Sequence, residues 1–115
     1  MGLPMAPQVR CLGINEQVAQ KLHSCTGRQR EGRARDVLDI LLVNMLGQLD
    51  YARTRVAAKR IFAERATHVF PPSTALPAEW RRELETMAQE LGYRTKDAEG
   101  IEAEFAAVVE ALGRR

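Results

Sequence analysis

From Val37 to Leu46 the chain reads V-L-D-I-L-L-V-N-M-L, with Asp39 and Asn44 as the only polar residues. Wound as a helix, this run is apolar on most of its sides, and such a helix belongs in the middle of a domain with other elements packed around it. It is interrupted by polar residues and too short to span a membrane, so its cover must be protein. The whole chain has 115 residues, enough for one modest domain. Charged residues make up 28% and apolar ones 45%, which suits a globular fold rather than disorder.

The remaining periodicity supplies that cover. A first helix is expected from about Asn15, its cap, to Cys25, with Ile14, Val18, Leu22 and Cys25 on one face and Gly27 as its stop. The central helix should run from about Arg33 to Leu46, with Asp36 and Asp39 in turns where the helix dipole favours negative charge. A third helix should follow Asp50 and reach about Arg65, burying Ala52, Val56, Ile61, Phe62 and Ala63. Thr67 to Leu76 reads as a proline-fixed loop. A fourth helix should start near Pro77, with Trp80, Leu84, Met87 and Leu91 as its stripe and Gly92 as its end. Thr95 is the expected cap of a fifth, carried by Ile101, Phe105, Val108 and Leu112. The fold class that follows is all-α: a five-helix bundle over residues 14–113, preceded by an irregular or extended lead-in at 1–13. Gln8 to Leu12 alternates like a strand, yet no other segment offers it a partner.

Function is narrowed first by absence. The sequence has no glycine-rich phosphate loop, H-E-x-x-H pair, nucleophile elbow or D-x-D pair. Glu102 and Glu104 have the D-x-D spacing, but alternate residues on a helix diverge, and both should be solvated. His23 and His68 read as packed or surface imidazoles, and Trp80 as a core anchor. Cys11 and Cys25 fit no zinc spacing. With no secretory leader expected, they point to a reducing compartment, so the expected location is the cytoplasm, with no membrane partner.

The net charge of +2 is too small to argue for nucleic acid, but its distribution is uneven. Lys21, Arg28, Arg30, Arg33 and Arg35 crowd one stretch against Glu31, and Arg53, Arg55, Lys59, Arg60 and Arg65 form a second. Within the first, the cluster that stands out is Lys21 with R-A-R-D-V-L-D, Arg33 to Asp39. Asp36 and Asp39 are three apart and share one side of the helix. Carboxylates beside an apolar helix need partners, and Lys21 and the two arginines are available. The same residues support two readings. One is an interhelix ion-pair network. The other puts Lys21 and Arg33 on a nucleotide's phosphates, near a helix N-terminus, with Asp36 orienting them or taking a proton.

Four stretches carry a family resemblance: E-Q-V-A-Q-K-L-H-S (Glu16 to Ser24), R-A-R-D-V-L-D-I-L-L (Arg33 to Leu42), I-F-A-E-R-A-T-H-V-F-P (Ile61 to Pro71) and P-A-E-W-R-R-E-L (Pro77 to Leu84). In this order, over about Val9 to Leu112, they resemble the C-terminal part of AbiEii/AbiGii-type nucleotidyltransferase toxins. Lys21 matches that family's third motif, a lysine in an E-K-L-like helix. Arg33, Arg35, Asp36 and Asp39 match its fourth, R-x-[KR]-D-x-x-D. The resemblance implies that Lys21, Arg33 and Arg35 bind nucleotide phosphates, that Asp36 is catalytic near the reacting centre, and that Asp39 supports it. It implies Mg2+ and a nucleoside triphosphate as cofactors of the full enzyme, an RNA or protein acceptor, and a cognate antitoxin as partner. The family's glycine-rich and D-x-D motifs belong to an N-terminal α/β half and are absent here. The resulting expectation is a C-terminal fragment that binds no metal and is inactive by itself, with Gln8 to Leu12 as the last strand of a missing sheet. The alternative is a stand-alone helical module that binds a protein or RNA through its basic surfaces.

Overall fold

A computed structural model describes residues 13–27, 31–66 and 68–114. These residues form five helices and no strand: α1 Ile14–Thr26, α2 Ala34–Met45, α3 Tyr51–Arg65, α4 Trp80–Leu91 and α5 Ala98–Gly113. The expected all-α bundle is the observed fold. The strand-like Gln8 to Leu12, Cys11, Arg28 and Arg30 lie outside the described residues.

The near-continuous apolar run lies where its composition requires. α2 packs against α1, α4 and α5, and buries Ala34, Val37, Leu38, Ile40 and Leu41. Toward its C-terminal end the cover thins: Leu42, Val43 and Met45 are partly buried and Leu46 is exposed. α1 makes its most extensive contact with α3 and contributes Val18, Leu22 and Cys25 to the core. α4 adds Trp80, Leu84 and Ala88, with Leu91 at the rim, and α5 adds Ile101, Phe105, Val108, Val109 and Leu112.

Several local expectations need correction. Asn15 does not cap α1, which starts after Gly13. Its Oδ1 instead accepts hydrogen bonds from the Asp50 backbone N–H at 2.9 Å and the Thr54 hydroxyl at 3.0 Å, tying α1 to the start of α3. A local cap thus gives way to a tertiary contact that satisfies two donors on α3. Ile14, expected on the apolar face, is exposed. On α3 the buried residues are Thr54, Ala57, Ala58, Ile61 and Phe62, while Ala52, Val56 and Ala63 face outward. Small side chains on the inner face let α1 approach closely, and the alanines and threonine gave little apolar signal in the sequence. Asp50 does cap α3, accepting from the Arg53 N–H at 3.1 Å. α4 begins at Trp80, three residues after Pro77, once a turn through Ala78 and Glu79 has been completed.

The cap of α5 is Asp97, whose Oδ2 accepts from the Gly100 N–H at 2.8 Å, rather than Thr95. The Thr95 hydroxyl and the Tyr93 phenol both donate to Glu104, and Glu102 accepts from the Leu76 N–H at 2.8 Å. Neither glutamate is simply solvated: each holds the connection leading into α4 or α5. Burial, reinforced by Glu104, pushes the Tyr93 phenol well above its usual range.

α4 ends in a left-handed Gly92, φ +70°, with the Tyr93 N–H donating back to the Ala88 carbonyl. That closure favours glycine, which carries no Cβ. α3 ends in the same backbone region without a glycine: Ala66 has φ 49°, and its N–H donates to the Phe62 carbonyl at 2.9 Å. An L side chain there costs about 1 kcal/mol relative to glycine. Ala66→Gly should therefore raise the midpoint of thermal unfolding by a few degrees, read by circular dichroism. An unchanged or lowered midpoint would show that the turn is not strained.

Candidate functional site

The seam between α1 and the first turns of α2 gathers the charged residues of both motifs. Lys21 precedes buried Leu22, so its stem runs along the core edge and its ammonium emerges at the seam. Lys21 Nζ lies 3.1 Å from Asp39 Oδ2 and 3.6 Å from Asp36 Oδ1. Arg33 Nη1 lies 3.7 Å from Asp36 Oδ2, and Arg35 Nε lies 3.6 Å from Asp39 Oδ1. The arrangement alternates in sign: one lysine between two carboxylates, with an arginine outside each.

The two carboxylates are not equivalent. Asp39 accepts a hydrogen bond from Lys21. Asp36 is buried, and its Oδ2 has no hydrogen-bond partner. An unsatisfied buried acceptor is costly, and burial raises the Asp36 pKa despite the opposing pull of Lys21 and Arg33. Burial also works against the charge of Lys21, but the Asp39 hydrogen bond and the fields of both carboxylates outweigh it, so the Lys21 pKa is raised too. Lys21 is thus stabilised as a cation, whereas Asp36 is held as an anion at a cost.

This asymmetry has a testable sign. Because the folded-state pKa of Asp36 exceeds its ordinary 3.8, the folded chain holds a proton that the unfolded chain has already released. Its contribution to stability falls as pH rises from 3.8 through the raised value, then stays constant. Asp36→Asn lacks this dependence. The stability of the variant relative to wild type should improve across that window in urea titrations at successive pH values. A difference that worsens with pH would mark Asp36 as an ordinary ion-pair partner with a depressed pKa.

Beside this cluster opens a cleft of about 390 Å³, lined by Gln17, Gln20, Lys21, Ser24, Arg33, Asp36 and Arg65. Its walls are polar and predominantly cationic. Arg35 and Asp39 do not line it: the guanidinium of Arg35 is largely exposed, and Asp39 is paired with Lys21. Gln17, Gln20 or Lys21, and Ser24 follow helical spacing along α1, so their common stripe is visible in the sequence. Arg65 comes from the end of α3; the sequence placed it in the second basic run, with nothing to join it to Lys21 and Arg33. A larger hollow of about 740 Å³ lies by Phe62, His68, Val69 and Phe70. Its lining is mostly aromatic and aliphatic, with Lys59 as its one full cation where the cleft has three, so it suits a chain of phosphates less well.

Two histidines lie close together near these hollows, and His68 lines the larger one. His23 is buried, packs edge-on against Phe62 at 4.9 Å between ring centres, and lies 4.7 Å from the ring of His68. His68 Nε2 shares a hydrogen bond of 2.9 Å with the Thr26 hydroxyl. Burial, His68 and Arg65 all lower the His23 pKa.

The donor set does not suit a divalent ion. Among the described residues, no group of three or more His, Cys, Asp or Glu side chains converges as a metal site. The two carboxylates at the seam already share Lys21. A hard divalent cation asks for several unencumbered oxygens. Phosphate suits the cleft better, since ammonium and guanidinium groups recognise it directly. Among the described residues, no helix is long and apolar enough to cross a membrane.

A family model described as "Nucleotidyl transferase AbiEii toxin, Type IV TA system" matches residues 2–111. That span includes both motif segments and every residue lining the cleft. No curated protein matches the chain.

Proposed function

Since the chain belongs to the AbiEii nucleotidyl transferase toxin family of type IV toxin–antitoxin systems, we propose that its helical bundle grips the phosphates of a nucleoside triphosphate for transfer of the nucleotidyl group. Lys21 and Arg33 hold the phosphates. Asp36 accepts the proton of the attacking hydroxyl as the acceptor oxygen bonds to the α-phosphorus and pyrophosphate leaves. Asp39 fixes Lys21, and Arg35 fixes Asp39 while adding positive potential outside the cleft. The reading rests on one observation: Lys21, Arg33 and a buried Asp36 with an unsatisfied oxygen line a single cationic cleft.

The pKa of Asp36 supports its part. Burial makes it a stronger base than a solvated aspartate, and groups held at an energetic cost concentrate at working sites. Phosphoryl-type transfer also draws on metal ions to neutralise developing charge. The described residues do not fit that group, so in this reading the metal-holding carboxylates come from outside them. The family also implies a cognate antitoxin as partner.

Titrating the chain with each nucleoside triphosphate, with and without magnesium, tests the grip. Binding should not require the metal. Arg33→Ala should weaken it about tenfold, the equivalent of one charge-assisted hydrogen bond. Because the side chain of Arg33 is 54% exposed, the substitution should leave the melt almost unchanged. No measurable binding, or binding indifferent to Arg33→Ala, would overturn the proposal. RNA affinity that is salt-dependent yet insensitive to Lys21 and Asp36 substitutions would instead favour a basic interaction module.

A further inference from the structure

Lys21 and Arg33 each lie against a carboxylate, but among the described residues the third cation of the cleft does not. Arg65 lines the same cleft from the last turn of α3. The ion pairs at the seam join Lys21, Arg33 and Arg35 to Asp36 and Asp39, and Arg65 has no carboxylate within ion-pair distance among the described residues. Arg65 and His68 both disfavour protonation of neighbouring His23, whose ring also packs on Phe62. A cation that lines a polar cleft and has no acidic partner among the described residues is best balanced by an anion in that cleft.

We propose that Arg65 is a third phosphate-binding cation of this cleft, reaching from α3 to act with Lys21 of α1 and Arg33 at the N-cap of α2 on a chain of linked phosphates. This rests on the phosphate-binding reading above and extends it to a residue outside both sequence motifs. Three cations against one carboxylate leave the lining with a formal charge of +2, and they approach from three separate elements. One orthophosphate engages such a spread poorly, whereas linked phosphates can meet several cations at once. Gln17, Gln20 and Ser24 add uncharged hydrogen-bonding groups along one wall.

Inorganic tripolyphosphate is the probe, titrated calorimetrically at low ionic strength into wild type, Arg65→Gln, Arg65→Lys and Arg33→Ala. Arg65→Gln should bind about tenfold more weakly, while Arg65→Lys should keep most of the affinity. Orthophosphate should bind wild type more weakly than tripolyphosphate does. A second readout is the pH titration of the His23 imidazole by NMR. Adding tripolyphosphate should move its midpoint upward in wild type, because the bound anion offsets Arg65. In Arg65→Gln the midpoint should start higher and move less.

Failure takes distinguishable forms. If Arg33→Ala weakens binding and Arg65→Gln does not, Arg65 serves only the C-terminal dipole of α3, and the inference falls while the phosphate reading stands. Equal affinity for orthophosphate and tripolyphosphate overturns the linked-phosphate ligand. If wild type binds neither, both the inference and the reading beneath it fall.

Discussion

Lys21→Glu should abolish triphosphate binding, with a loss of at least about a hundredfold, and should also weaken the fold. The binding loss follows from charge. The cleft lining carries Lys21, Arg33 and Arg65 against Asp36, and reversing Lys21 takes its formal charge from +2 to zero. A phosphate oxygen that met an ammonium would then meet a carboxylate. Each tenfold loss corresponds to about 1.4 kcal/mol, so a hundredfold loss requires only about 2.8 kcal/mol. The stability loss has a separate origin. Lys21 lies 3.6 Å from Asp36 and 3.1 Å from Asp39, so the variant brings three carboxylates together without their shared cation. In a fully buried site, removing one partner of an ion pair costs about 3–5 kcal/mol. The Lys21 side chain is 37% exposed, and solvent screening reduces this to roughly 1–3 kcal/mol.

Lys21→Met separates the two effects. It removes the cation without adding an anion, so binding should weaken about tenfold and stability should fall less than in Lys21→Glu. Calorimetry with a nucleoside triphosphate and urea titration of the same samples provide both readings. Equal binding by wild type and Lys21→Glu would remove Lys21 from the site. An unaltered urea midpoint would mean that the ion pairs at the seam contribute nothing to the fold.

The largest stability effect is expected on α5. Phe105 is fully buried and belongs to the one core that α2 and its neighbours share. Phe105→Ala should cost about 3–5 kcal/mol, combining lost burial with the cavity left behind. Against a total stability on the order of 5–15 kcal/mol, that removes a large part of the margin. The urea midpoint should fall sharply while the slope of the transition stays the same. Val56→Ala is the matched control: Val56 is 64% exposed, so its truncation should change stability by no more than about 0.5 kcal/mol. A Phe105→Ala cost similar to that of Val56→Ala would show that α5 is not packed into the core.

The sequence was most informative where a property repeats along a single element. The run from Val37 to Leu46 could be stable only when covered on several sides, and α2 is covered by α1, α4 and α5. The stripe Ile101, Phe105, Val108 and Leu112 likewise placed the buried face of α5. The sequence placed Ile61 and Phe62 on the buried face of α3 but was least informative on the earlier turns of that helix, where Thr54, Ala57 and Ala58 are buried and Val56 faces outward. Small residues bury well against a close neighbour, but they give hardly any periodic signal without that neighbour in view. The caps show the same limit. Asn15 and Thr95 had the right chemistry to cap their own helices, but Asn15 serves α3 and Thr95 serves Glu104.

For the site, residue type and spacing were enough to bring Lys21, Arg33, Asp36 and Asp39 into one group, because opposite charges beside an apolar helix must find one another. Tertiary structure alone decided their ranking. It left Asp36 buried with an unsatisfied oxygen, paired Asp39 with Lys21, and left Arg35 outside the lining of the cleft. It also brought in Arg65 from the far end of α3. Periodicity records which face of a helix avoids water. Which cation reaches which cleft depends on how separate helices cross, and that is settled by packing across the whole core.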